Sequence, residues 1–220
     1  MVDPPLIRGG AAVRAGSLVV GLALFAFGIV LQLQSGLGLG PWDVLNQGLS
    51  EKTPLSFGGA NIAVAVVVLL LAWSLGARIG VGTVANAVLI GVFVDLILAL
   101  EPVEDLAGEG LAVRIVLLVA GIGIVALGSG LYIGAAFGAG PRDSLMLVGA
   151  RRTGVRIGVV RAALEVSVAA LGLALGGTVG IGTVAFALGV GPAVELAFWA
   201  LVRLGVADPP PGRRDYDRGS

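Results

Sequence analysis

Long apolar runs along this chain alternate with short polar interruptions, and the lengths of the runs carry the first structural information. A hydrocarbon core of ~30 Å needs about 20 apolar residues per helix. Six segments reach that length, at about 16–35, 57–77, 80–100, 113–134, 156–175 and 180–202. The pattern predicts an all-α polytopic membrane protein with six transmembrane helices. "GARIG" and "GGTVG" would make tight hairpins after the second and fifth spans. "EPVEDLAGEG" is the one distinctly polar loop between the halves.

Two interruptions share one motif. "GLGLGPWDVL" (Gly36 to Leu45) and "AFGAGPRDSL" (Ala136 to Leu145) each place Gly-Pro-x-Asp between the first and second span of a half. Sliding the chain by 100 residues superposes Gly40, Pro41 and Asp43 on Gly140, Pro141 and Asp143 without a gap. The same shift lays "GVGTVANAVLIGVFVDL" on "GIGTVAFALGVGPAVEL". About a third of positions from Gly16 to Leu100 are identical, too many for shared composition alone. Three spans per half is an odd number. The second half therefore enters the membrane from the opposite side, giving two inverted three-helix repeats.

Expected boundaries are an N-terminal cytoplasmic segment (1–15), a first repeat (16–100), an external acidic loop (101–112), a second repeat (113–204) and a disordered cytoplasmic tail (205–220). The Pro-rich start is too polar for the apolar region of a cleaved signal peptide.

The GPxD turn is sound helix-starting chemistry. Pro fits the first helical position, and a carboxylate two residues on can meet free N–H groups at the positive end of the dipole. Each motif predicts a short amphipathic helix. Two placements are open: an interfacial helix in the headgroup zone, or a re-entrant half-helix aimed at the midplane. The first is simpler.

Composition sharpens the class. The chain has 220 residues, 57% hydrophobic and 13% charged, against roughly 25% charged in soluble domains. Having neither Cys nor His, it is denied thiol catalysis and most zinc chemistry. No GxxxxGK[ST], GxSxG or HExxH stretch occurs, so no enzyme, catalytic residue, metal or cofactor is expected. Arginines at 8, 14, 78, 142, 151, 152, 156, 203, 213, 214 and 218 would share one side, against Lys52 and Arg114 on the other. That bias puts both termini in the cytoplasm, with the protein in a bacterial inner membrane.

Ionisable residues within spans are costly and point to function. Glu165 lies deepest, about nine residues or ~14 Å into the fifth span, with Arg161 one turn before it. Their first-half counterparts are Ala65 and Asn61, so the pair breaks the repeat. Asp95 and Glu195 are equivalent to each other and are candidates for gates at opposite ends, against the commoner role of bonding neighbouring helices. Thr83 and Thr183 read as helix-start residues, and Gly21, Gly28, Gly121 and Gly128 as packing faces. Gln32, Gln34 and Tyr132 supply hydrogen bonds around the turns. In a re-entrant helix Arg142 would present a cation near the pathway and favour an anionic substrate; in an interfacial one it is one more cytoplasmic charge, the simpler reading.

These residues carry a resemblance. "GLGLGPWDVLNQGLSEKT" followed by "GVGTVANAVLIGVFVDL" is similar to the YczE/YyaS/YitT family of bacterial membrane proteins, nearest its YczE branch. The resemblance implies a small polytopic inner-membrane protein and names no reaction. The expected function is small-solute transport by alternating access. The alternatives are a solute-binding subunit with an energising partner, or a scaffold for a cytoplasmic enzyme. Expected partners are the lipid bilayer and a small solute, with homo-oligomerisation left open and no nucleic acid.

Overall fold

The computed structural model describes residues 4–100, 108 and 110–209. Eight helices follow one another: α1 (Ala11–Ser35), α2 (Pro41–Lys52), α3 (Phe57–Ser74), α4 (Val81–Leu98), α5 (Leu111–Gly134), α6 (Pro141–Thr153), α7 (Ile157–Ala174) and α8 (Ile181–Arg203). All except α2 and α6 are long and apolar enough to cross a membrane. The two short helices are those the GPxD motifs predict, with Pro41 and Pro141 at their first positions. An 18-residue helix such as α3 spans about 27 Å at 1.5 Å per residue, close to the hydrocarbon thickness.

Helices α1 and α5 cross antiparallel at the centre. Gly21 lies against Gly128, and Gly28 against Gly121. A Cβ built on Gly28 would sit 2.7 Å from the Gly121 carbonyl oxygen, so only glycine permits this backbone approach. The ends of the crossing are tied alike. Arg14 Nε donates to the Ala135 carbonyl (2.8 Å), and Arg114 Nε to the Ser35 carbonyl (2.6 Å). Further pairs obey the same 100-residue exchange. Gly82 N–H donates to Phe137 O (2.9 Å), and Gly182 N–H to Leu37 O (2.8 Å). The Thr83 and Thr183 hydroxyls accept from the N–H of Gly80 and Gly180, fixing the starts of α4 and α8 as their positions predict.

The equivalent seams α3–α4 and α7–α8 differ. A Cβ on Gly58 would overlap the Gly91 carbonyl oxygen, so α3 and α4 touch backbone to backbone. On Gly158 or Gly191, the corresponding glycines, a Cβ would meet nothing within 4 Å. Gly172 is the one α7 residue among those described that is buried.

The end of the chain corrects the expected tail. Its first residues are ordered: β2 (Ala207–Asp208) pairs antiparallel with β1 (Leu6–Ile7), and Arg8 Nε meets Asp208 Oδ1 at 3.0 Å. Ile7 and Ala207 are buried beside Leu201, and that apolar contact extends order past α8. The remainder of the tail lies outside the described residues. So does most of the acidic connection at 101–112, within which α5 begins.

Candidate functional site: a cavity between the halves

The start of α2 is carried inward by its glycines. Gly36, left-handed with φ 59°, ends α1. Gly38 then passes against Gly180 and Thr183 with φ +109°, a conformation that only glycine adopts freely, and Gly40 lies against Phe186. Phe186 is six residues beyond Gly180, about 9 Å at the helical rise. The connection thus descends along α8 before α2 begins. Gly138 runs likewise past Gly80 and Thr83, and Gly140 past Asn86.

The two GPxD starts consequently meet. The Arg142 guanidinium lies 5.2 Å from the centre of the Trp42 ring and 3.5 Å from Asp43 Oδ1. Trp42 and Arg142 are matching positions of the two motifs. Asp43 is buried, and Asn46 Nδ2 also donates to it at 3.1 Å. Asp143 accepts from the Tyr132 hydroxyl at 3.1 Å. The expectation that each carboxylate serves the free N–H groups of its own helix is corrected: side chains engage them, Arg142 of the opposite half and Asn46 of its own helix for Asp43, and Tyr132 for Asp143. Arg142 is likewise a partly buried group facing the other motif, and not merely one more cytoplasmic charge.

Beside this junction is a cavity of ≈ 770 Å³, lined by all eight helices. Its wall is mostly apolar, with aromatic surface from Phe25, Tyr132, Phe186 and Phe198. Five ionisable carboxylates and guanidiniums face it: Arg142, Asp143, Arg161, Glu165 and Glu195. Arg161 Nε and Glu165 Oε1 form the expected i,i+4 pair at 2.8 Å, and the pair borders the cavity. Pro4, ahead of β1, and Glu195 and Phe198, in the second half of α8, are among the lining residues.

Of the four pathway candidates, Arg161, Glu165 and Glu195 are brought together, and Asp95 is not. Asp95 instead closes the α3–α4 seam. Its Oδ2 accepts from the Ser56 hydroxyl (2.6 Å) and its Oδ1 from Gly58 N–H (2.8 Å), at the start of α3. The counterparts of Ser56 and Asp95 are Arg156 and Glu195, and Glu195 lines the cavity.

Three asparagines add to the polar interior. Asn61 and Asn86 line the cavity, while Asn46 is fully buried behind it. Asn61 is 3% exposed, and its Nδ2 has no hydrogen-bond partner among the described residues. In the sequence Asn61 stands out only as the counterpart of Arg161. A lone amide inside an apolar span was the available signal.

The chain is similar to known proteins, one of them described as a membrane protein. The model of a family described as "Family of unknown function (DUF6198)" matches residues 12–198. A Haemophilus influenzae protein described only as uncharacterized is 36% identical over 188 residues, covering 85% of this chain and 84% of that one. The "Uncharacterized membrane protein YczE" of Bacillus subtilis is 32% identical over 171 residues, covering 76% and 77%. "Uncharacterized protein YyaS" of the same organism is 29% identical over 131 residues, covering 59% and 64%. No solved structure matches.

Proposed function

We propose that this chain, which belongs to the family of unknown function DUF6198, is a small-solute transporter of the bacterial inner membrane. It works by alternating access between two inverted repeats. The observation that carries the reading is the difference between the seams. The α3–α4 seam is sealed by Gly58, Gly91 and Asp95, while equivalent glycines on α7 and α8 stand apart beside a cavity.

In an inverted repeat each half can adopt the other's conformation. Exchange would bring Gly158 against Gly191 and seal the cavity. At the same time Gly58 and Gly91 would part, opening a vestibule on the other side. Antiparallel crossing of α1 and α5, with its reciprocal contacts, supports inversion. With both termini cytoplasmic, the present cavity faces the cytoplasm. The motif starts meet deep beside the spans, which favours re-entrant half-helices for α2 and α6 over interfacial ones.

Val94 and Val194 are repeat-equivalent; Val94 is fully buried, and Val194 lines the cavity. The absence of native cysteine allows each to be replaced singly by Cys in right-side-out and inverted vesicles. An impermeant thiol reagent should label Val194→Cys from the cytoplasmic side and Val94→Cys, more slowly, from the opposite side. If Val94→Cys stays inert from both sides, the bundle has one state and the scaffold reading replaces transport.

A further inference from the structure

Each guanidinium on the cavity wall already faces a carboxylate. Arg142 has Asp43, and Arg161 has Glu165. Asp143 and Glu195 remain, and neither forms an ion pair among the described residues; Asp143 accepts from the Tyr132 hydroxyl and feels Arg142 and Arg161 only at longer range. Carboxylates on a largely apolar wall in a membrane are destabilised unless a cation compensates them. The aromatic rings of Phe25, Tyr132, Phe186 and Phe198 line the same wall, and ring faces attract cations. Asn61 adds a buried amide N–H group that needs an acceptor.

We propose that the cavity binds an organic cation with an apolar body and an oxygen acceptor. Its charge faces Asp143 and Glu195, its body lies on the aromatic wall, and its oxygen accepts from Asn61 Nδ2. This names the substrate class for the transport reading above and rests on it for its biological meaning. Excess anionic charge, with both arginines occupied, disfavours an anionic solute. The cavity volume of ≈ 770 Å³ accommodates a solute of drug-like size.

Tetraphenylphosphonium and tetraphenylborate have nearly the same shape and opposite charge. Their binding to the purified full-length protein in neutral detergent is compared after subtracting partition into empty micelles. The phosphonium should bind roughly tenfold or more tightly than the borate, a factor worth about 1.4 kcal/mol. Asp143→Asn keeps an oxygen for the Tyr132 hydroxyl and should still fold. Glu195→Gln changes an exposed mouth residue and serves as the second variant. Each should weaken phosphonium binding about three- to tenfold while leaving or strengthening borate binding. Borate binding as tight as phosphonium, or unchanged phosphonium affinity in both variants, would overturn the assignment.

Asn61 has its own readout. (2-Hydroxyethyl)triphenylphosphonium should bind about three- to tenfold better than ethyltriphenylphosphonium, and Asn61→Leu should erase that preference. Equal affinities in the unsubstituted protein would remove Asn61 from the site. Binding selectivity is read without any movement across a membrane. A negative result here leaves the Val94→Cys test standing, and an inert Val94→Cys leaves this one standing.

Discussion

The α3–α4 and α7–α8 seams are built from corresponding residues, with Gly58 matching Gly158 and Gly91 matching Gly191, yet one is closed and the other open. Glycine at both seams shows that backbone contact is available to each. What differs is the fastening. Ser56 and Asp95 hold the first seam through the Ser56 hydroxyl and the Gly58 N–H, whereas Arg156 and Glu195 occupy those places in the second. A Ser hydroxyl and a short carboxylate hold a close backbone contact; an Arg and a longer Glu reach into open space. Small residues line both seams, and the polar clasp accompanies the one that is closed.

The comparison can be broken most directly at the glycines. Gly58→Val has no room and should cost about 3 kcal/mol of stability in the closed-seam state, read from unfolding in mixed micelles. Gly158→Val meets open space and should fall within about 0.5 kcal/mol of the parent protein. Equal effects at the two sites would mean the seams are not different. Next in size is Arg142→Ala, which leaves Asp43 buried without its guanidinium. A fully buried pair costs ~3–5 kcal/mol to break, and the 27% exposure of the Arg142 side chain lowers the expectation to about 2 kcal/mol. Adding Asp43→Asn should recover most of that loss in a double-mutant cycle.

The smallest effect concerns the fastening. Asp95→Asn weakens one of two hydrogen bonds that a charged acceptor makes, and should lose about 1 kcal/mol. Glu195→Gln should lose nothing measurable. A reversed order would assign the fastening to the wrong seam.

Much of this fold is legible in the chain because hydropathy and length act locally. The spans, the two GPxD helices and the roles of Thr83 and Thr183 follow from a few neighbouring residues. The Arg161–Glu165 pair was equally accessible, since four-residue spacing alone puts both on one helix face. The Arg142–Asp43 contact was not, because it joins positions 99 residues apart whose meeting depends on how far both turns dive. Nor could Asp95 and Glu195 be separated by their own identities. Both are acids at one repeat position, and the neighbours Ser56 and Arg156 determine which becomes a clasp. The pairing of Ala207 and Asp208 escaped notice because two residues of strand carry no periodicity.

Under the proposed function, the seams exchange states. Spin labels at Leu55 and Ala99 report on the first seam, and labels at the equivalent Val155 and Trp199 on the second. Dipolar distance measurements in lipid nanodiscs should give two populations for each pair, short in one where long in the other. Gly191→Val, which obstructs closure of the second seam, should collapse both to the state described above, with Leu55–Ala99 short and Val155–Trp199 long. A single distance for each pair, unmoved by Gly191→Val, would contradict alternating access.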